Sequence, residues 1–155
     1  MPIVLDYRIE NLDDHVGRDF GLTEPVKVSQ ALIDQFAQCS RDAQWIHVDV
    51  DRARASAMGT TIAHGLLTLS LTTAAQYELG VFPEDASQVL NYGLDKVRFL
   101  SPVPSGASVA IRVELTGVER KGSGRTLVRC RNTAYVADAL ERPVMVADAL
   151  YMLVA

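Results

Sequence analysis

The sequence predicts an α+β fold in which a curved antiparallel sheet wraps around one long central helix. Residues 65–79 contain no charged residue before Glu78 and are apolar on nearly every side, which is typical of a helix buried on almost all faces. The residues that follow alternate between apolar and polar with a period of two, as strands do. Because helices come first and a meander of strands comes last, an alternating βαβ arrangement is excluded.

The elements before the central helix are short. Residues 6–24 show only weak periodicity, and residues 26–28 alternate as a short strand does. Ser29 offers a helix N-cap, and the following apolar residues recur at helical spacing, so we predict an amphipathic helix over 30–39. Residues 51–58 read as a short helix that ends at Gly59.

The elements after the central helix are strands. Gly80 ends the helix, and Val97 and Phe99 indicate a first strand. Further strands are predicted over 108–115, 125–136 and 144–154, separated by turns over 121–124 and 138–142. The last strand is apolar on both faces, so we expect one face to remain for pairing with a second copy of the chain.

Length and composition set the class of protein. The chain has 155 residues, is 48% hydrophobic and carries a net charge of −4, which predicts a single domain over residues 1–155 and gives no reason to expect nucleic acid or an anionic membrane as partner. The apolar stretch over 62–75 is too short to span a bilayer, and the N-terminus lacks the pattern of a secretion signal. Cys39 and Cys130 have no disulfide or metal-ligand spacing, which favours a reducing cytoplasm.

Three residues suggest the chemistry. Asp42 and His47 lie five residues apart in the turn that leaves the first helix. A carboxylate and an imidazole brought together by a turn are suited to holding and deprotonating water. Gly65 places a backbone N–H at the start of the central helix, where an oxyanion is stabilised. Together they indicate an enzyme that adds water to, or removes it from, a substrate with a polarised carbonyl.

Each of these residues also has a purely structural interpretation. Asp42 is compatible with a simple turn residue, His47 with a hydrogen-bonded structural histidine, and Gly65 with a packing glycine. For His64 we favour the structural role, in which its ring fixes the loop before Gly65. Asp49 and Asp51 are expected to cap the helix that follows them.

The chain resembles the MaoC-like dehydratases, the (R)-specific enoyl-CoA hydratase family. The resemblance rests on DAQWIH over 42–47, IAHGLLTLSL over 62–71 and NYGLDKVRF over 91–99, and the last segment is similar to the NodN-like branch. It covers the chain from about Val26 to the end. It implies the hotdog fold, a curved antiparallel sheet around a long helix, which usually forms a homodimer.

The chain departs from the family pattern beside the Asp/His pair. Arg41 stands where Gly or Ser is usual, Gln44 stands for Asn and Trp45 for Pro. The loss of proline removes a fixed φ from the turn. The NodN-like branch shares the Gln-Trp form, and the catalytic residue types are unchanged.

The resemblance also implies roles for individual residues. Asp42 is the base, His47 orients and polarises the water, and the Gly65 N–H binds the thioester oxygen of a CoA or acyl-carrier-protein substrate. The implied reaction needs no cofactor and no metal. The substrate-binding positions implied in addition are Ala63, His64, Asn91 and Gly93, although a β-bulge explains Asn91 and Gly93 at least equally well.

Two other functions fit the same fold. A hotdog thioesterase would direct water to the carbonyl carbon, but such enzymes usually carry a carboxylate on the central helix, and here that helix has none before Glu78. A non-catalytic, acyl-thioester-binding subunit would pair with a different chain, but it would not need the Asp42 and His47 pair.

Overall fold

A computed structural model describes residues 6–155. Most of the N-terminal segment on which the prediction about a secretion signal rests lies outside this range. A short 3-10 helix, Ile9–His15, comes first. The α-helices are α1 Gln30–Ser40, α2 Trp45–Val48, α3 Val50–Ala55, α4 Gly65–Ser70 and α5 Thr72–Glu78. The strands are β1 Asp19–Leu22, β2 Val26–Lys27, β3 Gln88–Phe99, β4 Ser108–Gly122, β5 Arg125–Val136 and β6 Pro143–Val154.

These six strands form one antiparallel sheet. Their order is β1-β4-β5-β6-β3, and β2 also pairs with β4. The inward side chains of β4 are buried in the core, as the period-two pattern predicts: Val109, Ile111, Val113 and Leu115. The β4–β5 turn contains three consecutive residues with positive φ, Gly122, Ser123 and Gly124, a conformation that glycine adopts without steric cost. The predicted turn over 121–124 is therefore confirmed.

The central helix differs from the prediction in two ways. It is divided at Leu71 into α4 and α5. The hydroxyls of Ser70 and Thr72 accompany the break, because each donates to a carbonyl three residues earlier, at 2.6 and 2.8 Å, a competition that bends helices. The helix is also not buried on nearly all sides, since Leu66 and Tyr77 are 59% and 60% exposed.

The final strand lies inside the sheet rather than at its edge. β6 pairs with β5 on one side and with β3 on the other, and its residues are buried on both faces, including Val144, Ala147 and Leu150. The prediction that β6 keeps a free apolar face is therefore wrong. The sheet ends instead at β3, which is longer than the pattern around Val97 and Phe99 suggests.

The N-terminal residues contribute structure that the weak periodicity does not predict. The 3-10 helix buries Ile9 and Leu12. Arg120 of β4 donates to the Asp13 carboxylate and, at 2.6 Å, to the Ile9 carbonyl. The helix predicted over 51–58 ends earlier, at Ala55. Among the described residues, no helix is long and apolar enough to cross a membrane.

Two segments that are distant in sequence meet where α1 ends. Ser29 caps α1 by accepting a hydrogen bond from the Leu32 N–H at 3.2 Å, as predicted. The chain then turns into α2, and the Ile62 N–H donates to the Ile46 carbonyl at 3.0 Å. This bond brings α2 beside the residues that lead into α4, and the candidate site forms at this junction.

Candidate active site

The Asp42 carboxylate lies in the turn between α1 and α2. Arg41 ends α1 in the left-handed region, with φ of 64°. The Asp42 N–H donates to the Ser40 hydroxyl at 3.2 Å, and the Gln44 N–H donates to Asp42 Oδ1 at 3.4 Å. The turn that the five-residue spacing requires is therefore present, and it leaves the carboxylate exposed to solvent.

The His47 ring is buried and its tautomer is fixed. His47 is 6% exposed, and its Nδ1 lies 2.7 Å from the Ile62 carbonyl oxygen. A carbonyl oxygen only accepts, so Nδ1 carries the proton and donates. In the neutral ring Nε2 then bears the lone pair and is an acceptor.

The carboxylate and the imidazole lie about one water apart. An oxygen of Asp42 and a ring nitrogen of His47 are within 4.8 Å of each other. Two hydrogen bonds of about 2.8 Å that meet at a tetrahedral water span roughly 4.6 Å. A separation of this size accommodates one water that donates a hydrogen bond to each group and keeps its lone pairs free.

His64 lies against both members of this pair. Its ring stacks on the His47 ring, with centroids 3.8 Å apart and planes inclined by 23°. Its Nε2 lies 2.8 Å from the Asp42 backbone carbonyl oxygen and donates to it. These two ring contacts of His64 are thus with the pair formed by Asp42 and His47.

The same three residues raise the question of a metal site. Asp42, His47 and His64 offer ligand atoms within 4.8 Å of one another. Nitrogen lone pairs lie in the imidazole plane, and a metal must sit in that plane at about 2.1 Å. Two stacked rings cannot direct their lone pairs at one ion. The observed arrangement therefore favours a bound water over a metal ion.

Gly65 supplies the expected free N–H at the start of α4. Within residues 6–155 this N–H has no hydrogen-bond acceptor. A Cβ at Gly65 would lie 2.8 to 3.0 Å from three ring atoms of Phe99. The position therefore needs glycine for packing as well as for access to the N–H.

A cleft opens in front of His47 and Gly65. Its volume is about 260 Å³, and its walls are mostly apolar. Ala63 also borders it, and the Ala63 N–H is bonded to the Val103 carbonyl at 2.8 Å. The remaining lining residues are Ile62, Thr68, Phe99, Leu100, Ser101, Pro102, Val103, Val144 and Met145.

Asn91 and Gly93 lie elsewhere. They flank a β-bulge, since Asn91 pairs with Tyr151 and Gly93 with Leu150, which leaves Tyr92 as the extra residue. They border a second cleft of about 470 Å³ between β3 and the helices. The structure therefore brings Asp42, His47, Ala63, His64 and Gly65 together, but not Asn91 and Gly93.

A buried polar network begins at Tyr151, one of the residues that line the second cleft. Burial raises the pKa of Tyr151, so its hydroxyl stays protonated and donates to Gln76 Oε1 at 3.0 Å. Gln76 in turn donates to Asn132 Oδ1 at 2.5 Å. The network holds α5 against the sheet.

Two polar residues that the sequence does not single out support His47. The Gln30 side chain at the start of α1 donates to the His47 carbonyl at 2.8 Å. The Thr61 hydroxyl donates to Gln30 Oε1 at 2.5 Å. No local pattern marks Gln30, because its partners are set by how α1 packs against α2. Thr61 at least adjoins the IAHG segment.

The other residues near the site have structural contacts. Asp49 caps α3 by accepting from the Arg52 N–H at 3.0 Å. Asp51 forms an ion pair with Arg54 at 3.5 Å instead. The Trp45 ring is half-buried beneath the Arg52 guanidinium, whose central carbon lies 4.3 Å from the ring centroid. Glu78 accepts from the Glu24 N–H at 2.6 Å, at the far end of α5.

Residues 11–137 match the protein family described as the MaoC like domain. This match spans more than half of the chain. The chain belongs to the MaoC-like family.

Individual MaoC-like relatives are similar over nearly their whole length. The chain is 37% identical over 147 residues to 3-hydroxyacyl-thioester dehydratase Z of Mycobacterium tuberculosis. The aligned residues cover 95% of this chain and 96% of that protein. It is 36% identical to nodulation protein N of Rhizobium leguminosarum bv. viciae, over 90% of this chain and 87% of that one. The resemblance to the NodN-like branch is thereby confirmed.

A solved structure confirms the fold. The R-hydratase PhaJ1 from Pseudomonas aeruginosa superposes with a TM-score of 0.70 at 24% identity, over 89% of this chain and 81% of that one. The MaoC-like chain therefore has the hotdog fold predicted from its sequence.

Proposed function

We propose that this MaoC-like protein is a hydratase/dehydratase that adds water across the C2=C3 bond of 2-enoyl thioesters and removes it from 3-hydroxyacyl thioesters. One observation carries the proposal: the Asp42 carboxylate lies close enough to the His47 imidazole to share one water with it, and His47 borders a cleft that an unbonded glycine N–H also lines. The relative at 37% identity is named a 3-hydroxyacyl-thioester dehydratase, which supports the same class of substrate.

In the hydration direction, the pair holds the attacking water. His47 Nε2 and the Asp42 carboxylate each accept one of its hydrogen bonds, so its lone pair is directed at C3. Asp42 takes the proton as C3 forms its bond to oxygen, and that proton then passes to C2 of the enolate, which completes the addition of OH at C3 and H at C2. In the reverse direction the pair returns the proton to the leaving hydroxyl.

The Gly65 N–H stabilises the other end of the substrate. Negative charge moves from the attacking water to the thioester oxygen as an enolate forms, and a backbone donor at that position is worth roughly 10²- to 10³-fold in rate. His47 and Gly65 border one cleft. Asp42, His47 and Gly65 are thus the catalytic residues that we propose, with Ala63 at the wall of the substrate cleft.

We propose that Asn91 and Gly93 contact the acyl or pantetheine chain of the substrate. They border the second cleft, which adjoins α4 beyond the proposed site. An extended acyl or pantetheine chain would have to leave the first cleft along α4 to contact them.

We propose that the protein acts as a homodimer that pairs through β3. This strand is one edge of the sheet and has twelve residues, and a long apolar edge is a liability unless it is covered. Large apolar side chains are exposed on β3 and on the neighbouring helices: Leu66, Tyr77, Leu90, Tyr92, Leu94 and Phe99. A second copy of the chain would cover these side chains and the second cleft.

We propose that the protein is located in the cytoplasm. Cys39 and Cys130 are both free thiols, one exposed and one buried. Free thiols suit a reducing compartment, which supports a cytoplasmic location.

The activity test uses the purified wild-type protein with crotonyl-CoA. We expect loss of the enoyl absorbance, formation of (R)-3-hydroxybutyryl-CoA by chiral analysis, and no free thiol. Release of thiol without loss of the double bond would indicate a thioesterase. Binding of crotonyl-CoA without either reaction would indicate a non-catalytic subunit. Either the thioesterase result or the binding-only result would refute the proposal.

A further inference from the structure

We propose that His64 is a positioning residue that holds Asp42 and His47 in their catalytic arrangement, an inference that rests on the roles proposed above for those two residues. His64 is 2% exposed, and it immediately precedes Gly65. It therefore connects the proposed base, the proposed water-orienting ring and the proposed oxyanion donor.

The first contact anchors the Asp42 turn. The N–H groups of Asp42 and Gln44 donate within the turn at 3.2 and 3.4 Å, and the Gln44 carbonyl accepts from the His47 N–H at 3.0 Å. The bond from His64 Nε2 to the Asp42 carbonyl is 2.8 Å long and spans 22 residues. This long-range bond holds the backbone that carries the exposed Asp42 carboxylate.

The second contact sets the orientation of the His47 ring. His64 lies face to face with His47 and is itself in tilted contact with Phe36, with centroids 4.9 Å apart. The Ile62 carbonyl binds His47 Nδ1 in the ring plane, and His64 blocks rotation of the ring out of that plane. The Ile62 hydrogen bond and the His64 stacking together fix the direction in which His47 Nε2 points.

The third observation is an unpaired nitrogen. His64 Nδ1 is buried and has no hydrogen-bond partner within the described part of the chain. A buried acceptor left unpaired costs free energy, which an apolar ring at this position would avoid. The imidazole therefore contributes something that an apolar ring cannot, and the Nε2–H donated to Asp42 is that contribution.

Substitutions distinguish positioning from packing. Glutamine can place an N–H near the location of histidine Nε2, whereas asparagine reaches only the location of Nδ1. We compare His64→Ala, His64→Asn and His64→Gln, with Phe36→Leu as the matched control that alters packing around the ring but leaves the hydrogen bond to Asp42.

In the kinetic test with crotonyl-CoA, we expect His64→Ala and His64→Asn to lower kcat about 100-fold, the typical cost of a displacement near 1 Å, with KM changed by less than about threefold. His64→Gln should return to within about tenfold of wild type, and Phe36→Leu should stay near wild type. A raised KM at unchanged kcat would overturn the proposal, because it would indicate that His64 contacts the substrate.

A second readout does not depend on activity. Hydrogen exchange of the amides of residues 42–44 should be faster in His64→Asn than in wild type and should recover in His64→Gln. Equal exchange in the Asn and Gln variants would overturn the proposal even if the wild type does not hydrate crotonyl-CoA. If the wild type is active and Asp42→Asn is not, but all three His64 variants keep full kcat, the positioning role fails and the proposed function stands.

Discussion

The hydrogen bond between His47 Nδ1 and the Ile62 carbonyl determines what the His47 ring can do. It assigns the proton to Nδ1 and leaves Nε2 as an acceptor, so the ring orients a water by accepting from it. Asp42 is exposed and His47 buried, so a solvent-accessible carboxylate adjoins a buried imidazole. These two environments suit the proposed roles, in which the Asp42 carboxylate accepts the proton and the His47 ring orients the water.

Gly65 and Phe99 should be energetically coupled. Because a Cβ at Gly65 would lie 2.8 to 3.0 Å from the Phe99 ring, we expect Gly65→Ala to cost about 1–3 kcal/mol of unfolding free energy through overpacking. Phe99→Ala made in the same chain should recover most of that cost. Denaturant unfolding of the two single variants and the double variant measures the coupling. Strictly additive effects would show that the ring moves aside freely.

The residues of the site differ in how far they can be predicted from sequence. The types and spacing of Asp42, His47 and Gly65 indicate their chemistry directly, since water activation and oxyanion binding need those groups. Gln30 and Phe99 carry no such signal. Their importance arises from contacts with His47 and Gly65, and those contacts exist only after α1 and β3 have packed.

Among the helices, α1 carries the Asp42 turn at its C-terminal end, and its stability depends on Ser29 at the other end. The Ser29 hydroxyl accepts from the Leu32 N–H, so Ser29→Ala should cost about 1 kcal/mol of unfolding free energy. Gln38→Ala, an exposed change in the same helix, should stay within about 0.5 kcal/mol. Equal effects of the two changes in chemical denaturation would mean that the cap contributes nothing.

Element type was more predictable than element boundary. α1, β5, β6 and the turns that flank β5 follow from periodicity and turn residues. The division at Leu71 does not, because it depends on competition by the Ser70 and Thr72 hydroxyls for backbone carbonyls. The alternation also does not predict most of β3, because two irregularities, one at Tyr92 and one near Lys96 with φ of 51°, interrupt it.

At the scale of the whole molecule, the apolar surface on β3 is unaccounted for within one chain. We expect sedimentation to give a mass near twice the 16.9 kDa of the chain. Leu94→Lys should shift the protein toward monomer, because it places a charge in the proposed interface. Leu140→Lys is the matched control, since Leu140 is similarly exposed, 48% against 50% for Leu94, but lies in the β5–β6 turn. A Leu94→Lys protein that remains a dimer would place the interface elsewhere.

The position of the final strand explains why sequence pointed to the wrong surface for pairing. A strand that is apolar on both faces is compatible either with a subunit interface or with a position in the interior of a sheet. The order β5-β6-β3 shows that β6 is interior, and strand order depends on long-range pairing that local pattern does not encode.

The most direct test of the whole account compares turnover of crotonyl-CoA by Asp42→Asn, His47→Ala and Asp49→Asn. Asp49 caps α3, and asparagine caps as well as aspartate, so this variant is a matched carboxylate control close to the site. We predict that Asp42→Asn and His47→Ala each lose about 10²- to 10⁴-fold in kcat/KM, the usual contribution of a positioned acid or base, while remaining folded, and that Asp49→Asn keeps wild-type activity. Near-wild-type turnover in folded Asp42→Asn and His47→Ala would contradict the assignment of this pair as the group that activates water.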